Sequence, residues 1–164
     1  MKKIVYVMSS NYSGSHFLSL IIGSHSHFQH IGEIKWLRKD KTKSSRILCG
    51  LCGGHEDCPV LSGISVDNVD NVYDDIFSNL GSEISGLVDT SKRISWAERF
   101  LHDPRYEKKF IHLIRDPRAL VRRWSLEEDL SLLRERRKLL KYSLRNFKEA
   151  LAGDKLDLLV GKWL

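Results

Sequence analysis

The chain has 164 residues, 41% of them hydrophobic, enough for one folded domain with a core and against intrinsic disorder. Lys and Arg outnumber Asp and Glu by 27 to 21, a net charge of +6 that favours an anionic partner. No run of lysines with interleaved aromatics marks a nucleic-acid surface, and no stretch is long enough to span a bilayer.

Met1-Lys2-Lys3 and the apolar run Ile4–Met8 are too short for a secretory leader, and Ser9-Ser10-Asn11 ends the run. A cytoplasmic protein without a membrane span is the expectation. Ile4–Met8, short and rich in β-branched residues, predicts a buried strand. Ser9–Gly14 predicts a tight loop, and Ser15–Ile22 a short helix with Gly23 just past its end. Residues 35–63 read as irregular. They hold Cys49, Cys52 and Cys58, an odd number in one loop and no disulfide scaffold. Val69, Val72, Tyr73, Ile76 and Leu80 give helical spacing over 66–80. Gly86-Leu87-Val88-Asp89 predicts a second strand and Ile94–Leu101 a short helix. Phe110–Ile114 predicts a third strand, followed at once by Arg115-Asp116-Pro117-Arg118. Ser125 and Glu128 form a possible capping box. Leu126, Leu130, Leu133, Leu140, Leu144, Phe147 and Leu151 then recur on one face of a long amphipathic helix.

The first loop has the chemistry of an anion site. A helix N-terminus offers unpaired N–H groups and the positive end of a dipole. Gly14 lets the backbone approach a phosphate, and Ser13 and Ser15 add hydroxyls. The loop has no Lys before a Ser or Thr, so it is not a Walker A loop that sets a hydroxyl on magnesium.

The run Ser13-Gly14-Ser15-His16-Phe17-Leu18-Ser19-Leu20-Ile21-Ile22-Gly23-Ser24-His25, with His30-Ile31-Gly32-Glu33 after it, resembles sulfotransferases of the glycan and tyrosylprotein type. Those have an Arg-Ser-Gly-Ser/Thr-Thr loop, a helix, a His-Pro turn and Gly-Glu. Here Tyr12 stands at the family's basic position, His16 at a Ser or Thr, and Ser26 at the Pro. Leu87–Lys92 resembles the family's strand and Asp-Ser-Ser-Lys loop, and Phe110–Leu120 its second phosphate motif, with Arg123 where the family has Ser.

The resemblance implies an α/β fold, a P-loop-like three-layer sandwich around a central parallel sheet, with strands near 4–8, 85–88 and 110–114. It covers residues 1–164 as a single domain, the N-terminal part of the family fold, with the C-terminal part missing. It implies sulfonate transfer from 3′-phosphoadenosine 5′-phosphosulfate to an unidentified hydroxyl or amine acceptor, with no metal. In this reading Tyr12, Ser13, Gly14, Ser15, His16, Arg115 and Arg123 bind the donor. Arg115 pairs with the 3′-phosphate, where a guanidinium fits bidentately. Lys92 supplies a cation to the departing charge and Glu33 is the general base, with His16 next in line. The plain alternatives are a solvated Lys92 and an exposed loop Glu33. Cys49, Cys52, His55 and Cys58 carry zinc-type donors at a spacing unlike the common fingers. The resemblance implies a structural loop there. Two other classes remain: a non-catalytic nucleotide- or anion-binding module, and a nucleotide kinase, against which the missing Walker Lys counts.

Overall fold

The computed structural model of the chain describes residues 1–38, 58–64 and 69–125. The long helix expected after Ser125, Cys49, Cys52 and His55 lie outside the described residues. The chain divides into two units, Met1–Ser9 with Gly14–Leu113, and Ser10–Ser13 with Ile114–Leu164.

The first unit is an α/β layer structure. Its strands are β1 (Lys2–Ser9), β2 (Phe28–Gly32), β3 (Gly86–Asp89) and β4 (Tyr106–Leu113). Its helices are α1 (Ser15–Gly23), α2 (Val72–Asn79) and α3 (Ile94–Ala97). The sheet order is β2-β3-β1-β4, and each neighbouring pair is parallel. Successive side chains of a strand point to opposite faces. Ile4 and Tyr6 of β1 accordingly join Tyr73 and Ile76 of α2 and Trp96 and Ala97 of α3 on one face. Val5 and Val7 join Leu18 and Ile22 of α1 on the other. The sheet is therefore sandwiched between helices, as a parallel sheet requires.

This order has a positional consequence. β1 and β3 are neighbours, yet β1 is followed by a helix on one face and β3 by a helix on the other. In open α/β sheets a crevice opens at the carboxyl ends of such a pair.

The strand ends differ from expectation in instructive ways. β2 is absent from the pattern reading because Gln29 and His30 interrupt its apolar residues; among the described residues it pairs with β3 alone. β4 begins at Tyr106 rather than Phe110, because Glu107, Lys108 and Lys109 pair in register with Lys3, Ile4 and Val5 despite their charge. Gly23 closes α1 from within, and the next residue, Ser24, is right-handed (φ −80°), so no left-handed cap is made. A Cβ at Gly23 would lie 2.6 Å from the His30 nitrogen, so glycine is required by close packing against β2.

One buried carboxylate joins the sheet to its helices. Asp89, fully buried at the end of β3, accepts hydrogen bonds from the Tyr73 hydroxyl (2.7 Å), the Trp96 indole N–H (2.9 Å) and the Ser91 backbone N–H (2.6 Å). Burial pushes its carboxyl above the usual range, against the pull of these donors. Tyr73→Phe keeps the ring and removes one donor. It is expected to lower unfolding free energy by about 1–3 kcal/mol in urea titration. Unchanged stability would mean that the hydroxyl contributes nothing to holding Asp89.

The second unit contributes the loop Ser10–Ser13 and helix α4 (Pro117–Ser125). Pro117 stands at the first helical position, where its missing N–H costs no helical bond. The Asp116 carboxylate accepts the Arg118 backbone N–H at 2.9 Å, an N-cap. α4 reaches Ser125, and Glu128, its expected capping partner, lies outside the described residues.

Candidate functional site

In the first unit, the strand ends assemble a charged cluster. Gly32 closes β2 with φ 72°, a left-handed conformation that glycine adopts without penalty. Its carbonyl accepts the Thr90 N–H at 3.0 Å, which ties the end of β2 to the loop after β3. The chain then turns into a 3-10 segment, Ile34–Arg38. The Lys35 backbone N–H reaches the Ser91 hydroxyl at 3.2 Å, and the Lys35 ammonium donates to the Ser91 carbonyl. Lys92 follows at φ 62°, left-handed without being glycine. Such a residue costs on the order of 1–3 kcal/mol and persists only where its surroundings hold it. The Asp89 bond to Ser91, one residue earlier, provides that hold.

These turns bring Glu33 and Lys92 together. The Lys92 ammonium lies 2.6 Å from the Glu33 carboxylate, and the Lys35 ammonium lies 3.0 Å from its other oxygen. The Trp36 indole N–H donates to Glu33 at 2.9 Å. The side chains are 14% exposed for Lys92, 10% for Lys35 and 23% for Glu33, so neither lysine is a solvated surface cation. Burial pushes the Glu33 carboxyl up, but the bonds from Lys92, Trp36 and Lys35 outweigh it and hold it below its usual range. Burial lowers the Lys35 ammonium, with Glu33 opposing and Lys92 and Arg93 assisting. Two ammoniums around one carboxylate leave a surplus positive charge suited to an anion.

The start of α1 belongs to the same unit. Gly14 precedes it at φ 91°, and its carbonyl accepts the Leu18 N–H at 3.0 Å. No side chain caps this terminus, and the first turn holds no acid, so its N–H groups and dipole can serve an anion. Ser15 is buried and His16 exposed. The His16 ring stands edge-on to His30, with centroids 4.9 Å apart. Among the described residues, neither ring nitrogen of His30 has a hydrogen-bond partner. Burial, then the charge of His16, lowers His30 from 6.5 to about 4.

In the second unit, Tyr12 is left-handed at φ 65°. Its carbonyl accepts an N–H of the Arg115 guanidinium at 2.6 Å, and the Arg123 guanidinium lies 5.1 Å from its ring centroid. The Ser10 and Ser13 hydroxyls are 2.6 Å apart. Asp116 is engaged by Arg118 at 2.6 Å.

The sequence-derived residues thus gather as two sets: Glu33 with Lys92, and Tyr12 with Arg115 and Arg123. Pattern reading missed Lys35, although it lies two residues beyond the Gly-Glu pair; only the tight turn after Glu33 brings it back. It also missed roles for His30 and Asp89. Of the cysteines, Cys58 is described: it is buried and forms no disulfide. Among the described residues, no group of three or more His, Cys, Asp or Glu could hold a metal ion, and no helix is long and apolar enough to cross a membrane.

No protein-family model matches the sequence, and no curated protein matches it either.

The two perturbed groups define separate acid windows. His30 folds with a lowered pKa, so the unfolded chain takes up its proton first as pH falls. Its contribution makes stability rise with pH between about 4 and 6.5. The depressed carboxyl of Glu33 adds stability that is lost only below the ordinary carboxylate range. His30→Leu is expected to flatten the upper window and leave the lower one, as measured by urea midpoints at successive pH values. An unchanged slope between pH 4 and 6.5 would remove His30 from that role.

Proposed function

We propose that this chain is a sulfotransferase that moves a sulfonate group from 3′-phosphoadenosine 5′-phosphosulfate to a hydroxyl or amine acceptor. The observation that carries the reading is the 2.6 Å contact between Lys92 and Glu33 beyond the carboxyl ends of β3 and β2. Sulfonate transfer needs a cation for the charge that leaves with the nucleotide and a base for the acceptor proton, both within reach of one sulfur. A four-stranded parallel sheet with β1 central and an uncapped, glycine-led helix after it supports a P-loop-like three-layer arrangement. In this reading Ser13, Gly14, Ser15 and His16, with Tyr12, serve the 5′-phosphosulfate, and Arg115 and Arg123 the 3′-phosphate.

A magnesium-dependent kinase fits less well. Asp89, the acid that ends β3, spends both carboxylate oxygens on Tyr73, Trp96 and Ser91. Glu33 is engaged by Lys92 and Lys35.

The second reading, a non-catalytic nucleotide- or anion-binding module, is favoured by that same engagement. A carboxylate shared by two ammoniums is a weak base. For catalysis, an anionic donor must draw Lys92 from Glu33, so that the carboxylate regains basicity as the sulfonate arrives.

Calorimetry with 3′-phosphoadenosine 5′-phosphate should give the same affinity with and without a chelator; a strict magnesium requirement would turn the assignment to a kinase. Arg115→Ala should weaken this nucleotide by about 10- to 100-fold. Adenosine 5′-phosphosulfate, which lacks the 3′-phosphate, should be far less affected, and equal losses would separate Arg115 from that phosphate.

Glu33→Gln should lower turnover by about 100-fold or more with donor affinity nearly intact. Lys92→Ala should also lower turnover, with a modest effect on binding. Donor binding without transfer to any acceptor would establish the binding module instead.

A further inference from the structure

Tyr12 is an unusual residue for its backbone. A bulky side chain at φ 65° is disfavoured, and Asn or Gly would fit without that penalty. Two cations converge on it. Arg115 donates to its carbonyl at 2.6 Å, and Arg123 lies over its ring at 5.1 Å. Among the described residues neither arginine is paired with a carboxylate; Asp116, next to Arg115, is occupied by Arg118 at 2.6 Å. Two guanidiniums brought to one residue repel each other, and a multiply charged oxyanion would relieve this. The left-handed backbone serves both contacts, since one residue offers its carbonyl to Arg115 and its ring to Arg123.

We propose that Tyr12 is a positioning residue that organises Arg115 and Arg123 into one clamp for a phosphate dianion, the 3′-phosphate of the nucleotide. The inference rests on the sulfotransferase reading for the identity of that phosphate. The ring is the working part of Tyr12: it holds the Arg123 fork by cation–π attraction while the fork's N–H groups remain free for phosphate oxygens.

The test is a double-mutant cycle on the full chain, read by calorimetry with 3′-phosphoadenosine 5′-phosphate and, in parallel, adenosine 5′-phosphate. Tyr12→Asn removes the ring and keeps a residue that tolerates the left-handed backbone. Tyr12→Phe keeps the ring. Tyr12→Asn should weaken the 3′-phosphorylated nucleotide about two- to five-fold, the range of an exposed cation–π contact. Arg123→Ala should weaken it about ten-fold or more. Adding Tyr12→Asn to Arg123→Ala should cost nothing further, and Tyr12→Phe should bind like the wild type. Adenosine 5′-phosphate should be indifferent to all four variants.

Additive losses from Tyr12→Asn and Arg123→Ala would overturn the clamp and leave the donor assignment standing. So would equal losses for the two nucleotides. A wild-type chain that does not bind the 3′-phosphorylated nucleotide would overturn both. Thermal melts of each variant distinguish lost affinity from lost folding, and Tyr12→Gly, which also removes the ring and adopts a left-handed backbone without strain, supplies the decisive arm if Tyr12→Asn unfolds.

Discussion

The first unit depends on a buried carboxylate that cannot be left unpaired. Asp89 ends β3 with no solvent access, and an unpartnered carboxylate there would cost several kcal/mol. Its three donors come from different places: Tyr73 in α2, Trp96 in α3 and the backbone of Ser91. Satisfying one side chain thus fixes both helices against the sheet and starts the loop that carries Lys92. The left-handed turn at Lys92 comes one residue after Ser91, whose N–H bond to Asp89 anchors the loop. Rigidity at the strand end is a consequence of core chemistry.

The same logic extends across the end of β2. Gly32 turns left-handed and gives its carbonyl to Thr90, while Lys35 bonds Ser91 from the next turn. Glu33 lies between these two ties, so its carboxylate has little freedom in choosing partners. Two loops that are separate in sequence become one ionic unit. Lys92 and Lys35 are poorly exposed, and an ion pair with restricted solvent is screened less than a surface pair.

How far the sequence revealed this depends on what kind of force is at work. β1 and β3 were legible because buried parallel strands read as continuous apolar runs, as in Ile4–Met8 and Leu87–Val88. The first four residues of β4 were not, because backbone pairing with β1 tolerates Glu107, Lys108 and Lys109. β2 was hidden because His30 and Gln29 break the pattern of an edge strand. The Glu33–Lys92 contact was legible as two motifs separated by 59 positions, and the parallel sheet supplies the rest. Lys35 carried no signal of its own. Its role follows from a 3-10 turn set by Gly32 and from a hydroxyl on Ser91, a long-range pairing that no local pattern encodes.

The catalytic and the binding readings differ in one physical quantity, the partner that Glu33 keeps when an anion arrives. With both lysines engaged, the carboxylate is stabilised in its charged form and takes a proton poorly. An oxyanion competes with Glu33 for Lys92 by the same electrostatic attraction. Lys35 competes differently, because its ammonium also donates to the Ser91 carbonyl and its backbone is tied to the Ser91 hydroxyl. Lys35 is thus held in place by Ser91 as well as by Glu33, while Lys92 makes the shorter contact with Glu33, 2.6 Å against 3.0 Å, and its release would change the carboxylate most. If Lys92 turns to the anion, Glu33 loses one of two charges that depress it, and acceptor deprotonation becomes linked to donor arrival. If the cluster instead takes the anion without releasing Glu33, the same residues bind and do nothing more. The division lies in the strength of one lysine–carboxylate contact, and so does the difference between an enzyme and a receptor built on this sheet.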